Sequence, residues 1–393
     1  MRVCAVICEY NPFHLGHAYH LRAARETSGA DYMLCLMSGA LTQRGAFARH
    51  DKWLRARAAL QNGADVVLEL PTRFACAPAP DFAGGGAALL SALGVVTHLS
   101  FGCEASALPL LSAAASLFKA EPPAFSAAVQ AHLVDGLPYP RARALAAEQL
   151  ADIPADLLAQ PNAALALEYL QALPETILPV PIARQGSGYH DAALSALSSA
   201  TAVRAALSRD DLAGALAAVP SPALLQTVEE NGFVHEEEAL TQALFYRLRT
   251  ASPAELAALY GMDEGLESRF ITAAQTCATR EVLLNQIKTK RYTRARLSRL
   301  CAYALLNLTR DFAQTHRTPK YTRVLGFRKS AAPLLKEIKR HSSIPLITKA
   351  ADFDRANPLF ALDVRAQDLW SLGVSNPSLR SSGRDFTTSP IIF

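Results

Sequence analysis

The sequence predicts an α/β fold: a parallel sheet with helices on both faces, a helical insertion, and a mostly helical C-terminal domain. Three observations predict it. Short, β-branched-rich runs alternate with helical patterns through the first two hundred residues. A long helical stretch interrupts that alternation before the last run. Glycine-, serine- and histidine-bearing turns fall just after the runs, where Rossmann-like parallel sheets place their ligands.

The elements follow in order. Val3–Cys8 reads as a buried first strand. Further strands are expected at Tyr32–Met37, Val66–Leu70, His98–Phe101 and Ile177–Ile182. Helices are expected between the first four strands at about 16–27, 51–62 and 80–93. Residues 105–172 read as a helical insertion, punctuated at Pro122-Pro123, Pro138 and Pro154. Beyond about 215 the pattern is mostly helical, so a boundary is expected there: an α/β domain over 1–215 and a basic helical domain over 216–393.

Composition narrows the class. A chain of 393 residues, half of them hydrophobic and 19% charged, exceeds one typical core. No run reaches the ~20 apolar residues of a membrane span, and Glu9 interrupts any signal-peptide pattern, so a cytoplasmic protein without a membrane partner is expected. The seven cysteines are scattered with no C-x-x-C pair, which disfavours zinc and disulfides and leaves reduced thiols packed as small hydrophobes. Net charge is +4, yet residues 281–350 hold sixteen Lys or Arg against three Asp or Glu. Such a block suggests a polyanion larger than a nucleotide.

The run Asn11-Pro12-Phe13-His14-Leu15-Gly16-His17-Ala18 carries the chemistry. Pro12 stiffens the loop, and Gly16 lets backbone approach a phosphate. The helix that opens there is expected to direct free N–H groups and a partial positive charge at an anion. His14 and His17 can donate hydrogen bonds as charge builds on a pentavalent phosphorus. His20 lies one turn further on the same helix face.

This H-x-G-H turn resembles the HIGH-type nucleotidyltransferase superfamily, and Ser198 to Arg204 resembles its second, hydroxyl-rich signature. Further motifs are Glu9 to His14, Met37-Ser38-Gly39, Gln43-Arg44-Gly45, Gly63-Ala64-Asp65, Glu69-Leu70-Pro71 and Phe101-Gly102. Others are Pro161-Asn162, Gly188 to Asp191, Lys288 to Tyr292 and Arg323 to Phe327. Together they resemble the tRNA(Met) cytidine acetate ligase family. The resemblance implies ATP and acetate as substrates, an acetyl-adenylate, and acetyl transfer to the wobble cytidine of elongator methionine tRNA.

It further implies an ATP site at Ile7, Cys8, Glu9, Tyr10, Asn11, Pro12, Phe13, His14, Leu15, Gly16, His17, Ala18, Tyr19, His20, Gly102, Asn162 and Arg184. His14 and His17 are then the catalytic pair. Ser199, Thr201 and Arg204 are expected at the β- and γ-phosphates, although Ser199 and Thr201 alone would read as a helix cap. His190 and Asp191 read equally as structural or nucleotide-contacting. Arg44 or Lys52 could reach phosphate or RNA, with a solvated helix face the commoner outcome for Lys52, Trp53 and Arg55. Lys288, Lys290, Arg291, Tyr292 and Arg294 are expected to bind RNA, with Tyr292 stacking on an unpaired base. Magnesium can accompany ATP, but no carboxylate cluster marks a metal site. Two other readings share the turn: a coenzyme-forming adenylyltransferase, and a non-catalytic RNA-binding protein holding ATP.

Overall fold

A computed structural model describes residues 1–103, 108–183, 199–236, 238–289 and 291–393. The described strands form one eight-stranded sheet. Five are parallel: β1 (Val3–Cys8), β2 (Tyr32–Ser38), β3 (Val66–Leu70), β4 (His98–Cys103) and β5 (Leu178–Ala183). The order β5-β4-β1-β2-β3 puts the chain reversal between β1 and β4. β1 and β3 end where expected; β2 and β4 run one and two residues longer, and β5 is shifted by one.

The central strands are apolar because both faces are covered. On one face α1 (Leu15–Ser28) and α2 (Lys52–Gln61) pack over Cys4, Val6, Met33, Cys35 and Val67. On the other, helix Ala79–Ala92 and the insertion helices pack over Val3, Ala5, Leu34, Leu36 and Leu68. Four helices of 12 or 13 residues build that insertion: Leu108–Ala120, Pro123–Val134, Tyr139–Ala151 and Pro161–Ala172. All four have proline first or second in their range, where the missing N–H has no partner to lose. All seven cysteines are free and buried. No described helix is long and apolar enough to cross a membrane.

The region beyond 215 is mostly helical, with one departure. β6 (Thr322–Phe327) joins the far edge of the sheet antiparallel to β3, with Val66 opposite Phe327 and Glu69 opposite Arg323. β7 (Leu346–Ile347) and β8 (Ile391–Ile392) then pair with β6. A boundary near 215 therefore does not divide the sheet. Nor does it divide the second core, where Ala40, Leu41 and Cys76 pack among Leu244, Phe270, Leu300 and Trp370. β6 is a six-residue run inside a basic segment, and the otherwise unpaired edge of β3 gives it its longest pairing.

Candidate active site

The turn after β1 is tied down from several sides. The Gln43 N–H donates to Glu9 Oε1 at 2.7 Å, and the Arg49 N–H donates to Asn11 Oδ1 at 2.8 Å. Arg204 donates to the Asn11 carbonyl at 2.5 Å and to Thr201 Oγ1 at 3.2 Å. Arg55, 2% exposed, donates to the carbonyls of Glu9 at 2.6 Å, Ser38 at 3.1 Å and His50 at 3.0 Å, and also to Gly39. One guanidinium thus joins the ends of β1 and β2 to the start of α2. Fork geometry and permanent charge suit arginine to that task.

The two histidines organise the start of α1. His14 is its N-cap: the Gly16 N–H donates to His14 Nδ1 at 3.1 Å. The His14 N–H donates to His17 Nδ1 at 3.3 Å, closing a reciprocal capping box. A backbone N–H can only donate, so both Nδ1 atoms are acceptors. In the neutral rings the proton therefore sits on Nε2, leaving each imidazole an Nε2–H donor. The rings stack at 3.7 Å between centroids, with Tyr10 and Phe13 packed against His17 at 4.8 and 5.5 Å.

This geometry corrects one expectation. The first N–H groups of α1 are not free for an anion. Leu15 donates to the Ala218 carbonyl at 3.0 Å, and Gly16 to His14 Nδ1. His17 and Ala18 donate to the His14 carbonyl at 2.9 and 3.2 Å. What α1 offers an anion is the field of its N-terminus and the imidazole donors it carries.

Other residues expected in the ATP site divide by where their side chains lie. Cys8, Tyr10 and Phe13 are buried beneath the turn. Burial pushes the Cys8 thiol and the Tyr10 phenol well above their ordinary pKa values, and the phenol lies 3.4 Å from Cys35 Sγ. Their side chains are therefore closed off from solvent. Ile7 packs on the opposite face of the sheet, and Ala18 and Tyr19, on α1, are partly buried against the core under that helix. Pro12 lines a small apolar cavity with Phe13, His50, Leu54 and Val219.

Several of the remaining residues sit on β4 and on the elements packed against it. His20 Nε2 lies 2.9 Å from Ser100 Oγ, linking α1 to β4. Gly102 is half-buried near the end of β4, opposite Ile182. Asn162 opens helix Pro161–Ala172, which packs on β4 through Tyr169 against Phe101 at 5.8 Å. Ser199 Oγ is occupied as the N-cap of helix Ala200–Leu207, accepting the Ala202 N–H at 3.2 Å. Arg184, Gly188, His190, Asp191 and Ser198 lie outside the described residues, as does Lys290.

The basic segment differs more from expectation. Tyr292 is 5% exposed, with the guanidinium groups of Arg296 and Arg269 over its ring at 5.3 and 5.9 Å. Its ring is core, not a platform for a base, because its apolar area packs with Leu297 and Leu300. Arg291 pairs with Glu264 at 2.5 Å, and Arg294 pairs with Glu281 and Asn285. Lys288 is exposed. Arg299 donates to the Gln43 carbonyl at 3.2 Å and so braces the Gln43-Arg44-Gly45 loop, with Arg44 exposed at its tip.

Lys52, Trp53 and Arg55 do not form a solvated face; all three are buried. Lys52 Nζ lies 2.9 Å from Glu69 and 2.7 Å from Asp385, and Arg323 lies 2.5 Å and 2.7 Å from the same two carboxylates. The Asp385 contacts are ionic and lack the alignment of hydrogen bonds. Next to this ring of four charges, Arg384 meets Asp51, the N-cap of α2, at 2.8 Å. Consecutive residues Asp51-Lys52 are thus clasped by Arg384-Asp385. Burial alone would raise the Asp385 pKa, but Arg323 and Lys52 outweigh it and hold the carboxyl below its ordinary value. Neither this clasp nor the Arg55 bridge carries a local sequence signal, since its partners converge only in the fold.

A family model described as HIGH Nucleotidyl Transferase matches residues 1–385. The chain is 36% identical to the tRNA(Met) cytidine acetate ligase of Syntrophomonas wolfei over 417 residues, covering 100% of this chain and 99% of that protein. It is also 36% identical to the enzyme of that name from Halothermothrix orenii, with 98% of each covered. Among solved structures, Thermotoga maritima TmcAL bound with alpha-thio ATP matches with a TM-score of 0.92 and 30% identity, over 100% of this chain and 99% of that one. With the histidine turn, the chain reversal beside it and full-length similarity in agreement, the chain belongs to the HIGH nucleotidyltransferases, among the tRNA(Met) cytidine acetate ligases.

Proposed function

We propose that this protein joins acetate to AMP from ATP and passes the acetyl group to the wobble cytidine of elongator methionine tRNA. The observation that carries the reading is the His14–His17 capping box, which fixes both imidazoles at the start of α1 with Nδ1 as acceptor and Nε2 as the protonated nitrogen. It stands in a chain similar over its whole length to a structure bound with alpha-thio ATP.

Acetate is ionised at neutral pH, since carboxylic acids of this kind titrate near pH ~4. Its oxygen attacks the α-phosphorus, the bond to the β-phosphate bridge breaks, and pyrophosphate leaves. No general base is needed. Stabilisation of the charge developing on phosphate oxygens is needed, and His14 and His17 supply it through Nε2–H. The α1 N-terminus adds its field. The exocyclic amine of cytidine then attacks the acetyl carbon, AMP leaves with the bonding electrons, and the nitrogen loses a proton. A cytosine amine is a poor nucleophile because its lone pair is delocalised, so the mixed anhydride precedes transfer.

Gly102, Asn162, Arg184 and Arg204 complete the nucleotide site in this reading, with Thr201 beside Arg204. Lys288, Arg291 and Arg294 belong to the RNA-facing side, where RNA would compete with Glu264 for Arg291 and with Glu281 for Arg294. Among the described residues no three His, Cys, Asp or Glu side chains converge as metal ligands.

The test is incubation with ATP, labelled acetate and total tRNA, following label into RNA and pyrophosphate release. Label is expected in N4-acetylcytidine at the wobble position. His17→Ala should lower adenylate formation by about 10²–10³-fold, the usual cost of one transition-state donor. Pyrophosphate release that depends on another acceptor, or tRNA binding without turnover, would overturn the proposal.

A further inference from the structure

We propose that the solvent face of helix Ala332–His341, bearing Lys336, Lys339 and Arg340, is a docking surface for RNA phosphates remote from the ATP turn. The proposal rests on the acetate-ligase reading, which supplies the RNA.

The positive excess over residues 281–350 is unevenly available. Its first part is neutralised by Glu281 within the block and by Glu264 and Asp263 ahead of it. Arg291 meets Glu264, Arg294 meets Glu281, and Arg296 and Arg310 share Asp263. Arg323 is buried between Glu69 and Asp385. Lys336, Lys339 and Arg340 differ. All three are exposed, and none has an ion-pair partner among the described residues. The only acid on that helix, Glu337, lies 3.3 Å from His341.

Positions 336, 339 and 340 are neighbours at i,i+3 and i,i+4 spacing, so their cations crowd one face. Leu334, Leu335 and Ile338 hold the other face in the core. An ordinary solvated helix places opposite charges at such spacings, and like charges there repel. A run of phosphates relieves that repulsion and releases counterions.

The position of the helix favours an extended partner. It follows β6, whose last residue pairs with the first residue of β3, and it ends with the His341 carbonyl against Gly94. Both places lie at the edge of the parallel strands opposite the histidine turn. Lys320, also exposed and without an ion-pair partner among the described residues, precedes β6 at the turn's own edge. A strand of six residues separates the two zones, about 20 Å at ~3.3 Å per residue. A nucleotide cannot span that distance; an RNA stem can. Such contacts fix position and affinity and read no bases.

The experiment measures tRNA affinity between low and moderate salt for wild type, K336A/K339A/R340A and the charge-keeping K336R/K339R. The alanine variant should bind at least tenfold more weakly. Its slope of log affinity against log salt should shrink by about one unit for each phosphate that no longer meets a cation, two to three in all. The arginine variant should keep the wild-type slope, and melting temperature should be equal in all three. An unchanged slope in the alanine variant overturns the proposal. So does an equal loss in the arginine variant, which would mean that shape and not charge had been disturbed. Wild-type protein that fails to transfer labelled acetate to tRNA refutes the acetate-ligase reading; transfer with an unchanged slope in the alanine variant refutes the docking surface alone.

Discussion

Removing Asp385 should show how strongly the end of the chain holds the start of α2. The wild-type ring has two cations, Lys52 and Arg323, and two carboxylates, Glu69 and Asp385, none more than 4% exposed. Asp385→Ala leaves two buried cations on one carboxylate. Breaking a buried pair in this way costs about 3–5 kcal/mol, because the remaining charge is left without its partner and cannot regain water. That is a large part of the ~5–15 kcal/mol by which domains are stable. Equilibrium urea unfolding followed by two probes reads the loss directly. The companion variant Lys52→Met/Asp385→Leu removes one charge of each sign and leaves the Arg323–Glu69 pair intact. It should recover most of the stability, since apolar groups of similar volume replace buried ion pairs at little net cost. If Asp385→Ala costs under ~1 kcal/mol, or if the double variant costs the sum of the two single changes, the closed charge ring is not what holds this clasp.

The remaining predictions concern the turn, its brace and pH. A Cβ on Gly16 would lie 2.9 Å from His14 Cε1, so Gly16→Ala must rotate the imidazole that caps α1. Adenylate formation should fall about 10²-fold, as expected for misplaced catalytic groups, while unfolding free energy drops only by the ~1 kcal/mol of a missing cap. Gly45 has φ +80°, and a Cβ there would meet the Arg299 backbone nitrogen at 2.4 Å. Gly45→Ala should cost about 1–3 kcal/mol from backbone strain alone, measured by urea unfolding, with more from the clash. Asp363 is pushed up to about 7, first by burial and then by Glu69. Its folded pKa lies above the unfolded 3.8, so the folded state holds the extra proton and this group's contribution to stability is lost as pH rises from about 4 to about 7. The slope is at most about 1.4 kcal/mol per pH unit. Asp363→Asn should flatten it, as followed by urea unfolding across that range.

Local chemistry determined much of this protein. A buried parallel strand must be apolar on both faces, so Val3–Cys8 and Val66–Leu70 are legible at their ends. The H-x-G-H turn is legible because four consecutive positions carry both the cap of α1 and the imidazole donors. Its neighbours in sequence, Cys8, Tyr10 and Phe13, share that stretch, but their side chains turn into the core. Direction is set by packing against Cys35 and α1, which a local pattern does not contain.

Tertiary structure alone decided the rest. Whether a basic residue is a ligand for RNA, a buried bridge or half of an ion pair depends on which acid or carbonyl the fold brings to it. Arg55 meets carbonyls at the ends of two strands, Tyr292 becomes core, and Lys52 meets Asp385 from 333 positions away. β6 likewise takes its longest pairing from the otherwise unpaired edge of β3. Charge and apolar pattern are properties of one segment; desolvation and pairing are properties of two, and the second is chosen only when the chain closes.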